Sequence, residues 1–177
     1  MDEQYCELGD ITLCYQEFGA DRGGEPLLLI MGLGAPMIAW PTAFCEQLVE
    51  AGFHVIRFDN RDIGHSTVLS HTGVPRRRET LTFRKSAARY SLSHMAEDAL
   101  GLLDHLGIER AHIAGASMGG MIAQVMAIEH PGRVLSLTSI MSTTGRKTVG
   151  RPHPGAHRMV AKEPPAAAGL EAEVQHI

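Results

Sequence analysis

The chain has 177 residues, of which 44% are apolar and 20% charged, and a formal net charge of −4. This composition predicts a folded globular domain, and nothing in the global charge favours nucleic acid or an anionic membrane. The three cysteines are an odd number without a CxxC pair, which argues against a disulfide framework or a zinc site. We see no signal-peptide pattern and no apolar run long enough to span a bilayer, so we expect a cytoplasmic protein.

Apolar periodicity and turn residues predict six strands and three helices. The Gly9-Asp10 pair between the first two strands is typical of a β-hairpin. From residue 27 onward strands and helices alternate, which predicts an α/β fold with a doubly wound, mostly parallel sheet. The predicted strands are residues 5–8, 11–18, 27–31, 54–58, 111–115 and 134–140, and the predicted helices are residues 41–51, 91–106 and 118–130.

Helical spacing also predicts which residues are buried and where helices begin. In the first helix, Phe44, Leu48 and Ala51 share one face, which we expect to pack on the sheet. The second helix has Ser91 or Ser93 as its N-cap.

Two segments interrupt the alternation. Residues 76–89 carry six basic side chains against a single acid, Glu79. We interpret them as a solvated loop, because no interleaved aromatic residues support nucleic-acid binding. Residues 141–177 are rich in Pro, Ala and Gly, with weak helical patterns near residues 156–161 and 170–176.

The strongest chemical motif is Gly115-Ala116-Ser117-Met118-Gly119, between a predicted strand and a predicted helix. A G-x-S-x-G turn in this setting exposes the serine on a sharp bend, and the small flanking residues keep strand and helix from colliding. Ser117 is therefore the predicted nucleophile. Free N–H groups and the helix dipole would favour negative charge at this helix start.

Four stretches together resemble the α/β-hydrolase superfamily, and within it an esterase-like branch that includes the aclacinomycin methylesterases. They occur in that family's order, and the resemblance covers about residues 4–145. The stretches are Met31-Gly32-Leu33-Gly34, Trp40-Pro41, Phe58 to Ser66 and Gly115 to Gly120.

The resemblance implies an oxyanion hole formed by the backbone N–H groups of Leu33 and Met118, with Gly32 as a supporting turn residue. One such donor is worth roughly 3–4 kcal/mol in a well-studied protease. The loop after the fourth strand implies structural hydrogen bonding and ion pairing for Asp59 and Arg61. Asp62 stands where the family commonly has glycine, and the sequence offers no reason for this difference.

A serine hydroxyl needs a base, normally a histidine held by a carboxylate. The resemblance implies an acid after a seventh strand and a histidine after an eighth. Only 37 residues follow Ile140, and no aspartate follows Asp104. We therefore expect an N-terminal portion of a longer hydrolase, and by itself a poor and marginally stable enzyme. Six tail residues are interpreted as solvated residues of a cap: His153, His157, His176, Glu163, Glu171 and Glu173.

The sequence thus predicts a hydrolase core over residues 1–145 and the start of a cap, or a truncated tail, over residues 146–177. The predicted activity is cofactor-independent and metal-free hydrolysis of a small ester through an acyl-enzyme at Ser117. C–C bond or lactone hydrolysis on the same scaffold is the alternative. A catalytically incompetent or ligand-binding remnant is the alternative from another class. The oligomeric state stays open.

Overall fold

The structure, a computed structural model, describes residues 2–69 and 90–146. The nine predicted elements are all present, with ends that differ from the prediction by at most two residues. The strands are β1 (Gln4–Leu8), β2 (Ile11–Phe18), β3 (Glu25–Ile30), β4 (Phe53–Phe58), β5 (Ala111–Ala116) and β6 (Val134–Ile140). The helices are α1 (Thr42–Glu50), α2 (Leu92–His105) and α3 (Met118–Glu129).

The chain divides into two compact units after Ser142, and all nine elements lie in the first. None of the helices in the described ranges is long and apolar enough to cross a membrane. The basic segment at residues 76–89 and the weak helical patterns of the tail lie outside the described residues.

The six strands form one sheet in the order β1-β2-β4-β3-β5-β6. β1 and β2 form the predicted hairpin, and β2 pairs antiparallel with β4. β4, β3, β5 and β6 are parallel, which confirms the predicted α/β class and mostly parallel sheet. Because β3 lies between β4 and β5, the carboxyl ends of these three strands adjoin at one edge. Ligands of open parallel sheets bind at this edge.

Helices cover both faces of the sheet. α2 and α3 pack residues such as Met95 and Ile122 into the larger core, and α1 packs Cys45 into a smaller core on the opposite face. The face predicted for α1 is wrong in part, because Phe44 is exposed and stacks on Trp40 with ring centroids 5.7 Å apart. Ala51 is exposed just beyond the helix end, and the buried residue is Cys45.

The start of α2 is fixed by Ser91, which decides between the two predicted caps. The Ser91 hydroxyl accepts a hydrogen bond from the backbone N–H of His94, and the Ser91 N–H donates to Nδ1 of His94. This reciprocal pair satisfies two N–H groups, as in a capping box, with histidine in the position usually held by Glu or Gln. Ser93 instead bonds Glu129 of α3.

β6 is the most exposed strand of the sheet. Within the described ranges it pairs only with β5, and all of its residues except the two ends are exposed. Leu135 and Leu137 are 37% and 41% exposed. On the α1 side, β6 also borders an apolar groove of about 230 Å³ whose walls include Trp40 and Phe44. An apolar strand with an unpaired edge is a template for association with another chain.

We predict that the isolated chain associates through β6 and that Leu137→Lys reduces this association, because a charged lysine disfavours strand addition at an edge. Ile128→Lys is the control, since Ile128 is 77% exposed and belongs to α3 rather than to the edge strand. Light scattering across a concentration series measures the effect. Equal effects of the two substitutions would contradict the prediction.

Candidate active site

Ser117 lies on the turn between β5 and α3, as the sequence predicts. It is exposed, and its backbone has φ 53° and ψ −117°, a positive-φ conformation that is uncommon for a residue with a side chain. Its carbonyl accepts hydrogen bonds from the N–H groups of Gly120 and Met121, which begin the helix. The strained turn holds the serine side chain at the N-terminal end of α3, where the helix dipole favours negative charge.

The two glycines of the motif are needed because three backbones meet here. A Cβ on Gly115 would lie 2.2 Å from the carbonyl oxygen of Gly119. A Cβ on Gly119 would lie 2.1 Å from the carbonyl oxygen of Ile30, at the end of β3. No side chain fits at such distances, so α3 can begin against β3 and β5 only with glycine at both positions.

The end of β6 also stabilises the Ser117 turn. The sequence did not predict this contact. The N–H of Ser117 donates to the carbonyl of Ile140 at 2.9 Å. The hydroxyl of Ser142 donates to the carbonyl of Ser117 at 2.7 Å. Between these two residues Met141 has φ 47°, so it is a second residue with positive φ that is not glycine. Both polar groups of the Ser117 backbone are therefore fixed by one short segment.

The loop after β3 passes beside Ser117. A Cβ on Gly32 would lie 3.1 Å from Cβ of Ser117 and 3.6 Å from its Oγ, so the two residues are in contact. The N–H of Ala35 donates to the carbonyl of Gly32 at 3.3 Å, and Gly34 has φ 75°, which closes a tight turn. Leu33 is at the tip of this turn and is 74% exposed. The loop thus carries Leu33 to the neighbourhood of the serine.

The N–H groups of the two predicted oxyanion donors are available. Met118 is the first residue of α3, so its N–H has no partner within the helix. Neither its N–H nor that of Leu33 makes a hydrogen bond within the described residues. Both residues lie next to the serine. Met118 follows Ser117 in the chain, and Leu33 follows Gly32, which contacts the Ser117 side chain. The donor role of both residues stays a prediction.

Two polar residues that follow β4 hold the ends of this loop. The side-chain amide of Asn60 donates to the carbonyl of Met31 at 3.1 Å. The carboxylate of Asp59 accepts from the N–H of Met37 at 2.6 Å and from the N–H of His65 at 3.0 Å. Asp59 and Asn60 are only 3% and 2% exposed, so water competes little for these bonds. The structural hydrogen bonding predicted for Asp59 is confirmed.

Arg57, near the end of β4, adds a third point of attachment. Its guanidinium donates to the carbonyl of Trp40 and, through two nitrogens, to the side-chain oxygen of Gln16 at 2.9 and 2.6 Å. It also lies over the ring of Phe18, 5.0 Å from the centroid. Arg57 is 4% exposed, and these contacts replace the water that burial removes.

The ion pair predicted for Arg61 is present and joins the loop after β4 to α2. Two guanidinium nitrogens each lie 2.6 Å from an oxygen of Asp98, and both side chains are largely buried. Such a bidentate pair fixes orientation as well as charge. Arg61 also lies over the ring of Tyr90, 5.0 Å from its centroid.

The structure explains the aspartate that stands in place of the family's glycine. Asp62 has φ 65°, a conformation that Asp tolerates better than most residues. Its carboxylate accepts from the N–H of Leu69 at 2.6 Å and from the hydroxyl of Tyr90 at 2.8 Å. Burial, followed by this hydrogen bond, raises the pKa of Tyr90 to about 12. Asp62 therefore stabilises the loop through its side chain as well as adopting the turn.

Residues 2–69 and 90–146 place no base at the serine. Every hydrogen bond of Ser117 in these ranges uses its main chain. Several described histidines have other partners: His54 pairs with Glu17, His65 with Glu3 and His112 with Ser136. The six tail residues weighed in the sequence analysis lie outside the described ranges.

Comparison with known proteins agrees with this geometry. Residues 25–170 match the family described as alpha/beta hydrolase fold. Rhodomycin D methylesterase of Streptomyces peucetius is 36% identical over 132 residues, which are 75% of this chain and 39% of that protein. A putative carbamate hydrolase of Variovorax paradoxus is 31% identical over 126 residues, which are 71% of this chain and 41% of that protein.

A solved structure extends the comparison. The enol-lactonase of Burkholderia xenovorans LB400 superposes with a TM-score of 0.64 and 25% identity, covering 78% of this chain and 46% of that one. The chain belongs to the α/β-hydrolase family, and its similarity to a methylesterase confirms the predicted resemblance to the esterase-like branch. It spans about two fifths of the length of the two curated relatives named above.

We predict that Gly119→Ala destabilises the fold by about 1–3 kcal/mol or more, because the new methyl group overlaps the carbonyl of Ile30 and forces the backbones apart. Gly132→Ala is the matched control, since a Cβ there meets nothing within 4 Å. We expect it to change the free energy of unfolding by no more than about 0.5 kcal/mol. Urea denaturation measures both values. A Gly119→Ala chain as stable as the control would refute the packing argument.

We predict that Asp59→Asn loosens the loop beside Ser117. An amide cannot accept from both N–H groups that the carboxylate now binds, so about 1–3 kcal/mol of stability should be lost. Hydrogen exchange of residues 31–40, followed by mass spectrometry, should become faster. Asp104→Asn serves as control, because the Asp104 side chain is 64% exposed in its pair with Arg133. Unchanged exchange in residues 31–40 would show that Asp59 does not hold the loop.

Proposed function

We propose that the chain carries the nucleophile and the oxyanion hole of a serine hydrolase that acts on carboxylic esters of small molecules. The observation that carries the proposal is Ser117 with a positive φ at the start of α3 and Gly32 against its side chain. Similarity to rhodomycin D methylesterase supports the choice of an ester as substrate.

In the proposed reaction, Oγ of Ser117 adds to the ester carbonyl while a base removes its proton. The carbonyl oxygen becomes negatively charged, and the N–H groups of Leu33 and Met118 hydrogen-bond to it. The tetrahedral intermediate collapses, releasing the alcohol and leaving an acyl group on Ser117. Water then hydrolyses this acyl-enzyme and releases the acid. The bonds from Asn60 and Asp59 position the Leu33 loop before substrate arrives.

The base and its carboxylate partner come, in this proposal, from residues outside those described. The chain spans 39% of the length of the methylesterase, so most of that relative has no counterpart in these 177 residues. Residues 1–145 would be the hydrolase core, and residues 146–177 would begin the cap or form a tail. Without its base, a serine hydrolase can lose about a million-fold in turnover. We therefore expect slow chemistry from this chain alone.

Two alternatives remain. The similarity to an enol-lactonase favours lactone hydrolysis. This reaction needs the same nucleophile and oxyanion hole and differs in the substrate pocket. Hydrolysis of a C–C bond is a further variant on the same scaffold. A non-catalytic remnant that binds a ligand is the alternative from another class. None of these readings needs a cofactor, nucleic acid or a membrane, and we propose a cytoplasmic location.

A fluorophosphonate probe separates the hydrolase from the remnant. We expect slow covalent labelling at Ser117, identified by mass spectrometry, because free N–H groups beside the serine stabilise the developing charge. Ser117→Ala should lose this label. Ser93→Ala should keep it, since Ser93 bonds Glu129 on the surface of α2. Labelling of Ser117 no faster than that of Ser93 would favour the remnant.

A further inference from the structure

The fold brings together three side chains that metal ions bind, far from each other in sequence. Glu3 precedes β1, Cys14 lies in β2 and His65 lies in the loop after β4. One ligand atom from each lies within 4.8 Å of the other two. Nδ1 of His65 is 2.7 Å from a carboxylate oxygen of Glu3. We infer that Glu3, Cys14 and His65 form a binding site for a divalent cation of the zinc class.

The backbone around the thiol is fixed before any ion binds. The N–H of Cys14 donates to the hydroxyl of Ser66 at 2.9 Å, and its carbonyl accepts from the N–H of Asp59 at 2.9 Å. Thr12 and Thr67 exchange two further bonds, each of 2.8 Å. The loop that carries the histidine is thus attached to β2 at Thr12 and at Cys14 itself. A fixed backbone at two of the three ligands lowers the entropy cost of binding.

The side chains of Glu3 and His65 are more exposed than the thiol, which allows both of them to adjust. The hairpin register places Tyr5 opposite Cys14, and Glu3, two residues before Tyr5, has a carboxylate oxygen within 4.8 Å of the thiol sulfur. The side chains of Glu3 and His65 are 36% and 64% exposed, whereas Cys14 is fully buried. Zinc–ligand bonds of about 2.0–2.3 Å separate ligand atoms by roughly 3.5 Å, so shifts of about 1 Å suffice.

The charges at this place suit a cation. Burial first, and then the negative charges of Glu3 and Asp59, raise the pKa of the Cys14 thiol to about 11. The hydrogen bond that Glu3 accepts from His65 raises the pKa of that histidine. A divalent ion would replace the thiol proton, which would pass to solvent.

The donor set selects the kind of ion. One thiolate, one imidazole and one carboxylate suit Zn²⁺, or the softer Cd²⁺, better than Mg²⁺ or Ca²⁺, which prefer oxygen ligands. Three protein ligands leave a fourth tetrahedral position for water. Bound metal would tie the segment before β1 to the loop after β4. The three residues follow no metal-binding spacing, so the sequence does not predict this set.

Cadmium titration of the purified 177-residue chain tests the site, because a cadmium–thiolate bond has an ultraviolet charge-transfer band that cadmium–histidine bonds lack. We expect the band to appear at one equivalent of Cd²⁺ and to be lost in Cys14→Ser. Cys45→Ser is the matched control, since Cys45 is also buried but lies outside the cluster. His65→Gln and Glu3→Gln should each weaken binding at least about tenfold.

Circular dichroism checks that each variant is folded. If Cys14→Ser does not fold, the substitutions at His65 and Glu3 decide the question, because both side chains are partly exposed. Any of three outcomes would overturn the site. The band is absent, the band persists in Cys14→Ser, or His65→Gln and Glu3→Gln both bind cadmium with full affinity. These outcomes do not depend on Ser117, so the site and the proposed hydrolase activity are tested separately.

Discussion

The contact between α3 and the end of β3 is the constraint on which the rest of this edge of the sheet depends. Gly119 lies so close to the carbonyl of Ile30 that no side chain fits between them. The helix can start there only after a sharp bend, and Ser117 takes that bend at φ 53°. The chain leaving β3 must then pass over the same bend, which puts Gly32 against the serine. The serine and its neighbouring loop therefore meet through backbone packing rather than through side-chain recognition.

Buried polar bonds from the end of β4 complete this arrangement. Arg57, Asp59 and Asn60 bind backbone groups at three points between Met31 and Trp40. A loop held only by its own turn would sample many conformations, and ordering it during a reaction would cost free energy. In this protein the loop between Met31 and Trp40 is already ordered once the chain has folded. The burial of these groups makes each bond strong but also makes the loss of any partner costly.

The sequence predicted what depends on local pattern. Periodicity identified the nine elements, and the glycine spacing identified the serine turn. The sequence could not predict which residues pair across the sheet, because no local segment determines the strand order β1-β2-β4-β3-β5-β6. The bond from Ser142 to the Ser117 carbonyl depends on that order. For α1, helical spacing placed Phe44 in the core, whereas it is 37% exposed and stacks on Trp40. The sequence showed that Asp62 stands where the family commonly has glycine. Only the fold shows that its carboxylate accepts a hydrogen bond from Tyr90.

The strand order also has a consequence for how the chain acquires its structure. β1 and β2 are adjacent in sequence and can pair as soon as both exist. β3 lies between β4 and β5, so both of its partners are made after it. Its apolar residues, Leu27 to Ile30, cannot complete their pairing until residue 116 has been translated. The long loop closure slows this pairing further. During that interval β3 is an exposed hydrophobic segment of the kind that chaperones bind, so synthesis rate should influence the yield of folded protein.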